Sequence, residues 1–518
     1  MAEAAAGPIP APRLGTKLVY GLGSVAFGTK DLGFATFLLI FYNQVLGLPA
    51  TLVSFAIMIA LVADAVFDPI IGEISDNWRS RLGRRHPFMY GAAIPIGLLY
   101  FLLWNPPAWH DGALFGYLIV VAIAVRMAIA CYEIPSAALA PELSPDYDQR
   151  TSLMAFRFLF GLVGGGITVA IGLGIFMATT KANPLGLLNR HGYFSYSVMA
   201  ALVMVASILL SAAGTHSRIK YLRQLPARPR PTIRQLVHEM YESLSHRSLL
   251  VVTVASLFGS MALGLGSVLG TYFGTFFWRF SSQQLSVLGA AALLAAFLAV
   301  PLAPFASARL EKRNAFIATA FGSLFVNNIT MTLKLLGLLP PNGSPALLLI
   351  FFSTVTIGLA LAIASGILIA SMITDVVEDS EIRTGRRSEG LFSASLSFVG
   401  KATSGLGILL AGLLIDAVHF PRQATPATID IVAPHAVRNL VLIYMPVQIA
   451  LWIVSISLIT LYRIDRKTHE SNLLRLAEAA ALAESSPEIV PGASGNFDEL
   501  PARAGEMDIR HRAIGSAP

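Results

Sequence analysis

Twelve apolar runs, separated by short polar loops, limit what this chain can fold into more than any other feature. Each run is roughly 20 residues or longer, the length of helix that crosses a hydrocarbon core of about 30 Å. Because lipid offers the backbone no hydrogen-bond partners, such runs must be helical. They cover residues 18–45, 51–75, 88–105, 113–139, 152–179, 193–214, 249–278, 283–308, 315–338, 345–374, 389–415 and 437–462.

The composition agrees with a chain that is solvated by lipid. Hydrophobic residues make up 55% of the 518 residues and charged residues only 13%, whereas a soluble globular chain carries about 25% charge. The net charge of +7 does not indicate nucleic-acid binding, because the basic residues lie in short loops, where they orient membrane proteins. We therefore expect the bilayer, and no nucleic acid, as the partner of a monomeric protein.

Positive charges concentrate in alternate loops and predict the orientation of the chain. Residues 46–51 and 339–344 contain no Lys or Arg. By the positive-inside rule, the basic loops and both termini are cytoplasmic, in a multi-pass protein of the plasma (inner) membrane. The basic loop residues are Arg79, Arg81, Arg84, Arg85, Arg218, Lys220, Arg223, Arg228, Arg230, Arg234, Arg247, Arg309, Lys312, Arg313, Arg383, Arg386 and Arg387.

The chain divides into two halves of similar layout. We predict a cytoplasmic segment over 1–16, a six-helix bundle over 17–214, a cytoplasmic linker over 215–248, a second six-helix bundle over 249–463 and a cytoplasmic tail over 464–518. A short surface helix is expected near 231–245. Both halves carry a basic turn after their second helix, and the same order in both indicates a parallel repeat.

Ionisable side chains inside the apolar runs are the candidate functional residues, because they are costly in lipid and usually face a cavity or a partner. Asp64 and Asp68 are spaced i, i+4 and share one helix face. Two carboxylates this close recruit a cation or take up a proton, which predicts a coupling site for Na⁺ or H⁺ and no other metal. The full set is Asp31, Asp64, Asp68, Arg126, Glu133, Arg157 and Lys401.

Several alternatives remain open for these groups. Asp64 and Asp68 could instead pair with Arg157 or Lys401 to hold helices together. Arg126 and Glu133, spaced i, i+7 on one face, either line the substrate site or form an intrahelix or interhelix ion pair. The aromatic residues around 272–278 are expected to form an interfacial belt, with the outer mouth of a cavity as the second interpretation.

Enzymatic and nucleotide-driven chemistry are not predicted. The segment Gly400-Lys401-Ala402-Thr403 lacks the upstream glycine of a phosphate-binding loop. The histidines lie mainly in loops or the tail, without metal-ligand spacing. We therefore expect no cofactor other than a coupling cation.

Several stretches resemble the glycoside–pentoside–hexuronide:cation symporters. In the second run, Asp64-Ala-Val-Phe-Asp68-Pro-Ile-Ile-Gly leads into Ser75-Asp76 and Arg81-Leu-Gly-Arg-Arg-His-Pro87. Matches continue through most of the chain, outside the N-terminal stretch and the tail from 464. They include Tyr20-Gly-Leu-Gly, Lys30-Asp31, Glu133-Ile-Pro135, Pro141-Glu-Leu, Asp148-Gln-Arg150-Thr, Arg157, Asp375-Val-Val-Glu-Asp, Arg383-Thr-Gly-Arg386-Arg-Ser-Glu389-Gly and Lys401.

The resemblance implies an all-α membrane protein with the major facilitator fold, twelve transmembrane helices in two six-helix bundles, and symport by alternating access. It implies a cation site at Asp64 and Asp68. Substrate contacts would come from Asp31, Glu133, Arg157, Ser397 and Lys401, to which we add Arg126 because it lies in the middle of the membrane. Cytoplasmic gate residues would be Arg84, Arg150, Asp375, Arg386 and Glu389.

This sequence departs from the sodium-coupled melibiose permeases of that family at several positions. Phe67 and Ala130 replace an Asn and a Thr, and Ala137 stands where a tryptophan stacks on the sugar. Leu61 replaces a basic residue, and Arg126 has no counterpart. Fewer neutral oxygen ligands leave H⁺ beside Na⁺ as the coupling ion, and an added cation favours an acidic sugar or another anion.

The sequence thus predicts cation-coupled symport of a sugar, glycoside or related small solute. A carrier for an organic anion or a lysolipid-like solute is the first alternative. A membrane sensor or scaffold that has lost transport is the second, although buried charges without a function are expensive.

Overall fold

In the computed structural model, the first half of the chain folds into six membrane-spanning helices. The structure describes residues 11–144, 146–181, 183–219, 247–384, 389–425, 433–462 and 471, and every α, π or 3₁₀ segment named below lies within them. Helix α1 consists of the successive segments Leu14–Leu22, Ser24–Gly33, Phe34–Leu38 and Phe41–Val45. It is followed by α2 (Ala50–Asn77), α3 (His86–Trp104), α4 (Asp111–Leu143), α5 (Tyr147–Ile171, continued by Gly172–Phe176) and, after the short turn Gly186–Leu188, α6 (Arg190–His216).

The second half repeats this layout. It begins with α7 (Arg247–Tyr272, continued by Phe273–Phe277) and ends with α10 (Pro345–Thr384), α11 (Glu389–Ala417) and α12 (Ala433–Ile459). Between α7 and α10 lies the 54-residue element Ser282–Leu335. We call its two parts, before and after Glu311, α8 and α9.

The element Ser282–Leu335 is a pair of spans and not one helix. Glu311 has a non-helical φ of 61° and ψ of 158°, which interrupts the helix. The Nζ atom of Lys334 lies 5.8 Å from the ring centroid of Trp278, four residues before the element begins. The two ends are therefore close together, so the chain reverses at Glu311 and crosses the membrane twice.

The twelve predicted spans are all present. Among the described residues, ten helices are long and apolar enough to cross a membrane, and one of them is Ser282–Leu335. That element supplies two spans. The twelfth is α1, whose helix is divided into shorter successive segments. The fold is the predicted all-helical one.

Glycines bring corresponding helix pairs together in the two halves. In the first half, a Cβ added at Gly28 of α1 would lie 1.9 Å from the carbonyl oxygen of Gly161 on α5. In the second half, a Cβ at Gly264 of α7 would lie 2.2 Å from the carbonyl oxygen of Ser404 on α11. Such close backbone approach is typical of membrane helix packing, and its recurrence supports the parallel repeat.

The halves meet along three helix pairs: α2 with α11, α1 with α7, and α5 with α8. The α2–α11 pair is especially close, since a Cβ at Gly412 would lie 1.8 Å from the Oγ atom of Ser54. Four of the five helices that carry the candidate site, α1, α2, α5 and α11, thus lie at the boundary between the halves, and the fifth, α4, packs against α2.

The aromatic residues at the end of α7 do not form an interfacial belt. Tyr272 and Trp278 are 1% and 0% exposed. They are buried because they pack against other aromatic rings of the second half: Tyr272 contacts Phe420, and Trp278 contacts Phe351. The belt interpretation is therefore wrong for this cluster, which instead fills the interior at the end opposite the basic loops.

Candidate functional site

Asp64 and Asp68 on α2 share one cation from the other half of the protein. The Nζ atom of Lys401 on α11 donates to Oδ2 of Asp64 at 2.9 Å and also to Oδ2 of Asp68. The i, i+4 spacing aims both carboxylates at the same neighbour, as the sequence predicts. Asp64 is almost fully buried, whereas the side chains of Asp68 and Lys401 are 21% and 31% exposed. Protein therefore encloses this ion pair only partly.

Arg126 on α4 pairs with Asp64 as well. Its Nη1 atom lies 3.3 Å from Oδ2 of Asp64, and its guanidinium lies over the ring of Phe34. The structure thus shows an interhelix ion pair of Arg126, with Asp64 as the partner, and a substrate contact of Arg126 stays a prediction. Glu133 lies two turns away, about 10 Å along the helix axis, whereas α2 packs directly beside α4.

Arg157 on α5 is held by groups of α4. It donates to the Oγ atom of Ser136 at 2.7 Å and to the backbone carbonyl oxygen of Glu133 at 3.0 Å. The guanidinium lies 4.7 Å from the ring centroid of Phe27 on α1. Arg157 does not pair with Asp64 or Asp68. Of the two cations that the sequence offered as partners for these acids, the structure shows Lys401.

Two further acids, Asp31 and Glu133, lie on α1 and α4. Asp31 on α1 pairs with its neighbour Lys30 at 2.6 Å, yet its side chain remains 54% exposed. Within the described part of the chain, the carboxylate of Glu133 accepts no hydrogen bond. The site therefore offers one solvent-reached and one partly buried carboxylate as acceptors for a polar solute.

The predicted gate residues lie at the end that carries the basic loops. Arg84 pairs with Glu142 at 2.6 Å, and Arg150 donates to the carbonyl oxygen of Ser144 at 2.8 Å. In the second half, Asp375 pairs with Lys312 at 2.6 Å. Each of these contacts stays within one half of the protein. Arg386 lies outside the described residues, and for Ser397 and Glu389 the description covers only their helical backbone in α11.

At the opposite end, polar contacts join the two halves. Gln44 of α1 donates to the carbonyl oxygen of Pro421 at 3.0 Å and accepts the N–H of Ala424 at 3.1 Å. The hydroxyl of Tyr272 donates to Asn43 at 2.7 Å. These contacts close this end, and we refer to it as the closed end.

The sequence reasoning missed the residues of the closed end. Asn43 and Gln44 are uncharged amides at the end of an apolar run, and Asp416 lies at the end of another. Polar residues near helix ends are common in membrane proteins, so the positions of these residues in the sequence did not indicate a functional role. Their role becomes visible only when the ends of α1, α2 and α11 are seen side by side.

The comparison with known proteins agrees with this architecture. Residues 19–466 match the family model described as MFS/sugar transport protein. The chain is 29% identical over 483 residues to the uncharacterized symporter sll1374 of Synechocystis sp., covering 78% of this chain and 86% of that protein. It is 25% identical over 410 residues to the isoprimeverose transporter of Lactiplantibacillus pentosus, covering 77% and 79% of the two chains.

Solved structures show the same fold. A bacterial homologue of the human lysosomal transporter Spinster, in an inward-facing and unoccupied conformation, superimposes with a TM-score of 0.58 at 13% identity. The match covers 89% of this chain and 97% of that one.

Proposed function

Because this chain belongs to the MFS/sugar transport protein family, which makes it a secondary transporter of the membrane, we propose that it carries out cation-coupled symport of a sugar or glycoside. The observation that carries the proposal is the bridge from Lys401 on α11 to Asp64 and Asp68 on α2. This bridge joins the two halves at the depth where an alternating-access carrier binds its cargo.

The bridge gives the coupling cation a way to act on the conformation. A cation that neutralises Asp64 or Asp68 competes with Lys401 for the carboxylate oxygens. It therefore weakens a contact between the halves and frees the Lys401 ammonium as a donor to the solute. Coupling then follows because cation and solute each favour the state that binds the other.

A sugar or glycoside suits the polar groups around the bridge. Its hydroxyls can donate to the carboxylates of Asp31 and Glu133 and accept from the side chain of Arg157. The relative named as an isoprimeverose transporter supports the same class of substrate. We assign Ser397 and Arg126 to the same substrate site on the strength of the sequence pattern alone.

The structure is closed at one end, and the positive-inside rule indicates which side of the membrane that end faces. The closed end carries the contacts of Gln44 and Asn43 between the halves, whereas the Arg84 and Lys312 ion pairs at the basic end stay within one half. With the basic loops in the cytoplasm, the contacts of the described residues support an inward-facing state. In the outward-facing state, Arg84, Arg150, Asp375, Arg386 and Glu389 would form the cytoplasmic gate.

The test is uptake into proteoliposomes that contain the purified protein. A panel of neutral and acidic glycosides is offered under an imposed Na⁺ gradient, an imposed H⁺ gradient, or neither. We expect accumulation above equilibrium of at least one glycoside with one of the two gradients. A protein that moves none of them under any gradient, or that moves them equally without a gradient, would contradict coupled sugar symport.

A further inference from the structure

The coupling site already contains as many fixed cations as carboxylates. Asp64 and Asp68 supply two negative charges, and Lys401 and Arg126 supply two positive ones. Both cations meet at a single atom, because Oδ2 of Asp64 lies 2.9 Å from the Lys401 Nζ and 3.3 Å from the Arg126 Nη1.

Arg126 is held at this position. It is 6% exposed, and its guanidinium carbon lies 5.1 Å from the ring centroid of Phe34, within cation–π distance. Among the described residues, the buried Nε atom has no hydrogen-bond partner, so the Asp64 carboxylate is its main polar contact. An arginine keeps its charge at any physiological pH, so this cation is permanent.

A permanent cation beside Asp64 changes which ion can bind there. Asp64 and Asp68 lie among charged groups of four other helices: Lys30 and Asp31 on α1, Arg126 and Glu133 on α4, Arg157 on α5 and Lys401 on α11. Together with Asp64 and Asp68 this cluster holds four cations and four carboxylates, so an added Na⁺ would meet no net negative charge. A proton needs no coordination shell, and it can bind to the carboxylate of Asp68 while the Lys401 ammonium loses one acceptor.

We propose that Arg126 is a tethered cation that occupies the place of a coupling Na⁺, so that the ion coupled to transport in this protein is the proton. The proposal rests on the proposed function, because it names the coupling ion of the same Asp64/Asp68 site. Arg126 acts here as a specificity-determining residue: it excludes Na⁺ by charge and by filling the space beside Asp64.

Removing the guanidinium should open a sodium site. In Arg126→Met, the two carboxylates of Asp64 and Asp68 face a single cation, Lys401, between α2 and α11. The uncharged methionine side chain also leaves room beside Asp64. Two carboxylates and the Ala65 carbonyl, whose helical N–H partner is missing because residue 69 is proline, then supply oxygen ligands. Arg157→Met is the matched control, because it removes an arginine of similar burial that also lies over a phenylalanine of α1 without touching Asp64.

The experiment is calorimetric titration of the purified full-length protein with NaCl against choline chloride. We expect Arg126→Met to bind Na⁺ at least about tenfold more tightly than the wild type. The gain should disappear in Arg126→Met/Asp68→Asn. Arg157→Met and the conservative variant Arg126→Lys should show no gain.

Two results would overturn the proposal. One is an Arg126→Met protein that folds and binds Na⁺ no better than the wild type. The other result needs no Arg126 variant. It is that the wild-type protein binds Na⁺ and that Asp64→Asn abolishes this binding. That second result would leave coupling through Asp64 and Asp68 intact, whereas failure of the proposed function would show as glycoside uptake that ignores both gradients.

Discussion

The carboxylate of Asp416, near the end of α11, accepts the backbone N–H of Thr51, in the first turn of α2, at 2.8 Å. The N–H of Ala50 points to the same carboxylate at 3.3 Å. The first N–H groups of a helix have no partner within it, and the helix dipole favours a negative charge there. One half of the protein thus caps a helix of the other, at the closed end.

Replacing Asp416 should loosen the closed end. Loss of a capping side chain costs about 0.5–2 kcal/mol, which shifts the balance between closed and open states by about twofold to thirtyfold. The measurement is the rate at which a membrane-impermeant maleimide labels Ala424→Cys, a buried position at this end, in a Cys131→Ser background. We expect Asp416→Ala to accelerate labelling. Asp111→Ala is the control, because Asp111 is an exposed acid in the first turn of α4, and equal rates in both variants would argue against the capping role.

The packing of α1 against α5 should tolerate no side chain at Gly28. A Cβ there would lie 1.9 Å from the carbonyl oxygen of Gly161, so the two helices must separate. Overpacking of this kind costs about 1–3 kcal/mol. We expect Gly28→Ala to lower the unfolding temperature of the detergent-solubilised protein. Gly166→Ala on α5, where a Cβ meets nothing within 4 Å, should leave it unchanged, and a similar loss in both variants would contradict the close approach.

The Lys401 bridge should appear as coupling between two substitutions. Lys401→Ala leaves the carboxylate of Asp68 without its cation. The cost should lie between the roughly 1 kcal/mol of an exposed pair and the 3–5 kcal/mol of a buried one, because both side chains are partly exposed. We expect Asp68→Asn to restore part of this stability, since it removes the uncompensated charge. The measurement is a double-mutant cycle of unfolding free energies, and strictly additive effects would show that the two residues do not interact.

The fold could be read from the sequence because its signals are local. The lengths of the apolar runs and the positions of the basic loops are properties of consecutive residues, and lipid permits only helices for such runs. The reversal at Glu311 falls between the predicted runs 283–308 and 315–338. Only the division of α1 into shorter segments required the structure, because it depends on how the backbone bends to pack against neighbouring helices.

The candidate site was only partly predictable. A charged residue inside an apolar run is visible in the sequence, which identified Asp64, Asp68 and Lys401. Its partner is not visible, because pairing depends on which helices lie side by side. For this reason the sequence could not select Asp64 as the partner of Arg126, and it missed the Gln44 and Asp416 contacts of the closed end. The cation-binding role of Asp64 and Asp68, the gate roles and the substrate contacts all stay predictions; the substrate contacts are Asp31, Arg126, Glu133, Arg157, Ser397 and Lys401.

The most direct test of the account is transport by Asp64→Asn in proteoliposomes, with the best-transported glycoside of the uptake panel. Two modes are measured in parallel: uphill accumulation under the effective cation gradient, and exchange of labelled for unlabelled glycoside without any gradient. Asp111→Asn is the control, because Asp111 is an exposed acid in the first turn of α4. We predict that Asp64→Asn abolishes accumulation and retains exchange, while Asp111→Asn keeps both. Accumulation by Asp64→Asn at the level of the wild type would contradict a coupling site at Asp64.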